Sequence, residues 1–586
     1  MRSFLKYTLA TIVGVIISSF ILFLILMGII GAIVSSTEKQ VVVKNNSILH
    51  IRLDKTIPER SSDNPFENFD FTTFKPSVSL GLTDMVRNIR EAKDDSNIKG
   101  IYLDLGMVPM GFGTLEELRN AILDFKKSGK FVISYAEYYS QGNYYLASVA
   151  DSIFINPAGG ITFMGLSSEV MFYKGALDKL GIEPVVIRHG KFKSAVEPYI
   201  TDKMSPENRE QVSTLLNSLW GHVLKGISAQ RKIDVSHLNH IADNASVTNA
   251  KGALENKFVD GIRYKDEILE RLAKLSSATS AKNLEFVTLA DYNKAAKGKK
   301  DFSKKKIALV YAEGEIVTGE GGSEIASDDL SKAIREARGD SSIKAIVLRI
   351  NSPGGSALAS DIIWREVYLA SKTKPLIVSM GNVAASGGYY IAAPANTIVA
   401  EPTTITGSIG VFGILFNAQG FLNNKLGITT DNVRTNKHGD IETLYKPLTP
   451  EEKAIVQAEV ENIYDTFISH VAEGRRLNKA FVDSIGQGRV WSASDAKRLG
   501  LVDMIGNLHN AIEIAARKAK LSEYRIVELP KRDDALTSLL SGLSARVRQD
   551  AIQKELGEAS RLYYSIKDIT GRRGILARLP YDLNMN

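Results

Sequence analysis

A chain of 586 residues is too long for one hydrophobic core, so two or more domains are expected. It has no cysteine, which excludes disulfides, thiol nucleophiles and zinc–thiolate sites. The net charge is +7, but the basic residues are scattered among 66 acidic ones, and no basic stripe marks a nucleic-acid binder.

The first element in chain order is an apolar run. No charge occurs from Thr8 to Ser36. That exceeds the roughly 20 residues needed to cross a hydrocarbon core, and the short apolar region and small-x-small cut site of a cleaved signal peptide are missing. Residues 8–36 are therefore expected to be an uncleaved transmembrane anchor. Arg2 and Lys6 precede it, which puts residues 1–7 in the cytosol and the remainder of the chain outside it.

Beyond the anchor the chain repeats itself. "DSNIKGIYLDLG" at Asp95 matches "DSSIKAIVLRIN" at Asp340, an offset of 245. The same offset pairs Gly142, Tyr144 and Tyr145 with Gly387, Tyr389 and Tyr390, Ile153 and Pro157 with Ile398 and Pro402, and Gly165 with Gly410. "ENKFVDGI" near Val259 echoes "AKRLGLVDMI" near Val502, the offset slipping to 243. So long a period is not a solenoid unit and implies two copies of one domain.

In the first copy, residues 46–293, "KGIYLDL", "FVISYA", "SIFINP" and "PVVIRHG" predict buried strands. "GTLEELRNAILDFKKSG" predicts a helix from its three-to-four apolar spacing. "SPENREQVSTLL…" predicts a long helix with a serine cap and a proline in its first turn. The charged stretch over residues 294–306 predicts a linker. The second copy, residues 307–530, repeats the rhythm with "KAIVLRI", "LIVSM" and "TIVAEP", the helix "LASDIIWREVYLASKTK" and a second capped helix at "TPEEKAIV". Strand and helix in alternation mean an α/β fold with mostly parallel sheets and flanking helices. The tail, residues 531–586, shows apolar residues at helical spacing and predicts amphipathic helices, for subunit contact or for the membrane surface, to which "GRRG" points.

The duplication supplies an internal control. Ser386, in "GNVAASGGYY", corresponds to Gln141; the "NSPGGS" loop holding Gly354 and Gly355 corresponds to "GMVPMG"; Ser408 corresponds to Phe163. Positions that build a sheet should persist in both copies. A polar and glycine set present in only one copy reads as a site that the other has lost. Glycine lets backbone approach a ligand closely, so the amides of the "PGG" loop and of Gly387 can serve an oxyanion beside the Ser386 hydroxyl.

Serine needs a base. His189 and His438 are the histidines nearest to plausible site loops, but neither stands at a recognisable spacing for a Ser-His-Asp triad. Lysine can serve if burial keeps it neutral. The candidates are Lys191 and Lys193, in "RHGKFKSAVEP", and Lys437, which aligns with Lys193 if the offset slips to 244.

"YAEGEI", "RINSPGGSALASD", "VSMGNVAASGGYYIAA", "TTITGSIGVFG" and "KFKSAVEPYITDKMSPENRE" occur in that family's order and resemble the long, double-domain form of the signal peptide peptidase A family, over residues 46–530. The resemblance implies two tandem Clp/crotonase-like domains and a membrane-bound serine endopeptidase. It makes Ser386 the nucleophile, Lys193 the general base contributed by the other copy, Ser408 the group that orients the lysine, and Gly354, Gly355 and Gly387 the oxyanion region. It implies no cofactor or metal, a homotetramer on the extracytoplasmic face of a bacterial inner membrane, and cleaved signal peptides as substrates. Two other readings share the pocket or the anchor: a crotonase-like acyl-CoA enzyme and a non-catalytic membrane scaffold.

Overall fold

The computed structural model describes residues 4, 6–8, 10–21, 41–62, 79–107, 109–297, 303–322, 324–441, 443–531 and 575–578. Residues 10–21 are helical; residues 22–36 of the expected anchor lie outside the described residues. Among the described residues no helix is long and apolar enough to cross a membrane, so the expected span at 8–36 is not shown.

The first copy contributes β1 (Ser47–Leu53), β2 (Ile98–Leu105), β3 (Phe131–Ala136), β4 (Ser152–Ile155), β5 (Glu183–Arg188), β6 (Gly261–Ile262) and β7 (Phe286–Thr288). The second contributes β8 (Lys306–Glu313), β9 (Ile316–Val317), β10 (Ile325–Ala326), β11 (Ile343–Ser352), β12 (Gly354–Ser356) and β13 (Leu376–Ala385). It continues with β14 (Thr397–Ala400), β15 (Ile405–Gly407), β16 (Phe412–Asn417), β17 (Val490–Ser492), β18 (Met504–Ile505) and β19 (Arg525–Leu529). The tail adds β20 (Ile575–Arg578).

Two parallel sheets carry the duplication. The first runs β6-β4-β3-β2-β1-β7; the second sets β18, β14, β13, β11, β8 and β19 side by side in the corresponding order, with β15 and β17 branching from β13. The apolar runs follow from burial on both faces. In β11, Ile346, Leu348 and Ile350 enter one core, while Ala345 and Val347 pack under the helix Leu508–Lys518. Each such Val, Leu or Ile contributes about 1.5–3 kcal/mol on leaving water. The helices at Phe112–Lys126, Pro206–Arg231, Ala357–Thr373 and Pro450–Arg475 lie where the sequence predicts them. Ser205 and Thr449 accept hydrogen bonds from the third residues of their helices, at 3.1 and 3.2 Å. The helix Leu289–Lys297 enters the expected linker, and β8 begins at Lys306.

The copies are not two separate beads. Ala385, Ile405 and Val490 of the second belong to the core of the first. Arg349, on β11, is fully buried between Glu59 at 2.8 Å and Glu117 at 2.6 Å, both from the first copy. A third sheet, β10-β9-β12-β20-β16-β5, takes strands from both copies and from the tail. β5 therefore leaves its own copy and pairs antiparallel with β16, Arg188 opposite Phe412 and Glu183 opposite Asn417. The tail differs from its sequence expectation. Residues 532–574, where amphipathic helices are predicted, lie outside the described residues, and 575–578 form a strand, not a helix.

Candidate active site

Ser386 follows directly after β13 and opens the helix Gly387–Ala392. Its backbone is at φ 55° and ψ −115°, a conformation that costs a non-glycine residue about 1–3 kcal/mol and persists only where its surroundings enforce it. The enforcement is visible. The Ser386 N–H donates to Gly407 O at 2.8 Å, and the Tyr390 N–H donates to Ser386 O at 2.8 Å. The hydroxyls of Tyr389 and Tyr390 lock the helix to Leu501 O and Asp361, each at 2.8 Å. Ala384 and Ala385 let the strand run wholly buried up to the serine.

The amine comes from the other copy. The β5–β16 pairing delivers the loop after Arg188 to the end of β13, and Lys193 Nζ lies 2.8 Å from Ser386 Oγ. It also reaches Ser408 Oγ at 3.1 Å and Ser408 O at 3.3 Å. Both serines and the lysine are fully buried. Its hydrogen bonds all go to serine oxygens, and burial holds the amine well below the usual lysine range. Ser386 Oγ in turn donates to Gly410 O at 3.3 Å.

Residues the sequence does not single out hold this loop. Gln211 donates to Phe192 O and Ser194 Oγ, each at 3.0 Å, and accepts from the Val490 N–H at 3.2 Å. Gly488 sits at φ 84°, and a Cβ there would lie 2.6 Å from the backbone N and Cα and the Cβ of Lys193. Ser408, at φ 49°, is tied by its N–H to Arg489 O at 2.7 Å. The one signal in the sequence for this support is Gly410, present in both copies; Gln211 and Gly488 carry none that a single chain reveals.

The three glycines meet beside the serine. Gly354 and Gly355 adopt φ 102° and 158°, and a Cβ on Gly354 would lie 2.7 Å from Gly387 N. The Gly354 amide donates to the buried Ser352 Oγ at 3.2 Å, which sets the turn. Gly387, first residue of the helix, presents its amide next to Ser386.

The corresponding place in the first copy is filled. Gln141 donates to Gly165 O and accepts from the Met164 and Gly165 amides, each at 3.0 Å. Phe163, at the position of Ser408, packs into Tyr144, Trp220 and Phe258. Lys437 is exposed and paired with Glu451. His438 stands beside the same carboxylate at 3.5 Å, and His189 pairs with Glu461 at 2.5 Å while stacking on Tyr464. Lys191 lies over the Phe192 ring at 5.4 Å. The structure thus brings together Ser386, Lys193, Ser408 and the three glycines, and leaves the other candidates outside.

Comparison with known proteins agrees with the duplication. The model of peptidase family S49 matches residues 124–279 and again residues 369–522. The chain is 38% identical to Protease 4 of Salmonella typhi over 81% of its own length and 78% of that protein's. It is 34% identical to the chloroplastic serine protease SPPA of Arabidopsis thaliana, covering 85% and 74% of the two chains. Protease 4 of Haemophilus influenzae is 38% identical, over 74% and 72%. Two family matches in one chain, two parallel sheets of one strand order and relatives aligned over most of their length identify it as a serine protease of peptidase family S49, with the family's domain present twice.

Proposed function

We propose that the protein is a Ser–Lys endopeptidase whose nucleophile is Ser386 and whose general base is Lys193. The observation that carries the reading is a fully buried amine 2.8 Å from a fully buried hydroxyl. Burial disfavours the ammonium form, so the amine is available to accept a proton near neutral pH. Ser408 fixes its direction through two contacts, leaving the lone pair for Ser386. As Ser386 Oγ attacks a peptide carbonyl, Lys193 takes its proton. The amides of Gly387 and the Gly354–Gly355 turn face the developing oxyanion, a role worth about 10²–10³ in rate per donor. The ammonium then protonates the leaving amine, and water repeats the cycle on the acyl-enzyme.

The substrates in this reading are cleaved signal peptides and other apolar peptides. The site lies on the extracytoplasmic face of a bacterial inner membrane, held there by the apolar run at 8–36, and the assembly is a homotetramer of the Clp/crotonase type. Support comes from the motif order, the apolar run and the relatives' names. The test uses the full-length protein in detergent with a fluorogenic apolar peptide. Ser386→Ala and Lys193→Ala are expected to abolish turnover, and Lys437→Ala to leave it intact. Undiminished turnover in Lys193→Ala would remove the base from the scheme.

A further inference from the structure

The groove beside Ser386 is occupied by the chain itself. β20, "ILAR", lies between β12 and β16 and runs antiparallel to both. Gly355 stands opposite Ala577 and Ser356 opposite Leu576 on one side; Phe412 stands opposite Leu576 and Gly413 opposite Ile575 on the other. An extended peptide held between two strands is how a protease takes main chain of any sequence, with side-chain pockets adding selectivity.

The register points at one bond. The Ala577 carbonyl oxygen lies against the oxyanion glycines: a Cβ on Gly354 would overlap it, and one on Gly387 would meet it at 3.1 Å. The side chains fit their places. Ala577 is fully buried, so its pocket admits a small residue. Leu576 packs with Val196, Tyr199, Phe412 and Ile414, two residues from each copy. Past the carbonyl, Arg578 Nη1 reaches Glu315 Oε2 at 3.2 Å.

We propose that this tail segment is a substrate of its own chain and that the bond cut is Ala577–Arg578. The inference rests on the Ser–Lys reading above. Ser386 Oγ bonds to the Ala577 carbonyl carbon while its proton passes to Lys193. The C–N bond to Arg578 breaks, and Lys193 returns the proton to the Arg578 amine. One water, deprotonated by Lys193, hydrolyses the ester and leaves Ala577 as a carboxylate. Until that cut the tail fills the groove, so the uncut chain is self-inhibited.

The test is intact-mass spectrometry of purified full-length protein over time, run beside hydrolysis of the synthetic peptide "GILARLPYDL" and of an unrelated fluorogenic apolar peptide. The wild type is expected to lose everything from Arg578 onward and to cut the synthetic peptide after its alanine. Ser386→Ala keeps the tail, and Ala577→Trp, too large for a closed pocket, keeps it as well. An intact tail in an enzyme that hydrolyses the unrelated peptide overturns self-cleavage and leaves the peptidase standing. Loss of both activities overturns both. A cut at any other bond, or an unchanged cut in Ser386→Ala, overturns the register or the agent.

Discussion

Replacing Gly488 by alanine tests how finely the lysine is placed. The new Cβ would stand 2.6 Å from Lys193 N, Cα and Cβ, all backbone or backbone-proximal, so no side chain can swing aside. Ordinary contact requires the two segments to part by about 0.8 Å. Carried to the amine, that shift stretches the 2.8 Å contact with Ser386 Oγ beyond the ~3.2 Å limit of a good hydrogen bond. A displacement of about 1 Å in a catalytic pair costs about 10²-fold in rate. The positive φ of 84° adds about 1–2 kcal/mol of backbone strain for alanine. Strain alone has its own control in Gly129→Ala, where φ is 79° and nothing lies within 4 Å of the added Cβ. The assay is kcat on the fluorogenic peptide, with denaturation midpoints measured alongside. Both variants should lose comparable stability, and only Gly488→Ala should lose turnover. Wild-type kcat in Gly488→Ala would refute the claim that this glycine sets the amine's position.

Three further outcomes follow from the same geometry. Lys193→Met should be inactive yet more stable than wild type near neutral pH. The unfolded lysine binds a proton below its ordinary 10.5 while the buried one stays neutral over a wider range, so its burial cost is present below that value and fades as pH rises to it. The stability advantage of the variant should therefore shrink between about pH 7 and pH 10, read from denaturant midpoints. Arg349→Met strands Glu59 and Glu117 in the interior and should cost about 3–5 kcal/mol, with partial recovery in acid as the carboxyls protonate or on adding Glu59→Gln and Glu117→Gln. Gln141→Ser placed in a Ser386→Ala background should hydrolyse no peptide, because Lys437 is exposed and engaged with Glu451; measurable turnover would show a second site in waiting.

Much of the architecture is legible in the chain because duplication writes it twice. The offset of 245 foretells two sheets of one strand order, and the contrast of Ser386 with Gln141 and of Ser408 with Phe163 marks which copy holds the alcohol. The choice between Lys193 and Lys437 is not legible from the residues alone. Both read as loop lysines, and only the exchange of β5 into the third sheet, with Gln211 and Gly488 closing over the loop, buries one and leaves the other in water. The tail is the plain miss. Four residues are too few to show a period, and "ILAR" takes its strand form from β12 and β16, not from its own pattern.

The exchanged β5 also sets a schedule. A ribosome delivers the amine long before the alcohol, and the strand that positions the amine has no partner until β16 has been made. A nascent chain is therefore harmless to its surroundings, and to itself, throughout synthesis. Competence to hydrolyse arrives in one late event, when the halves dock.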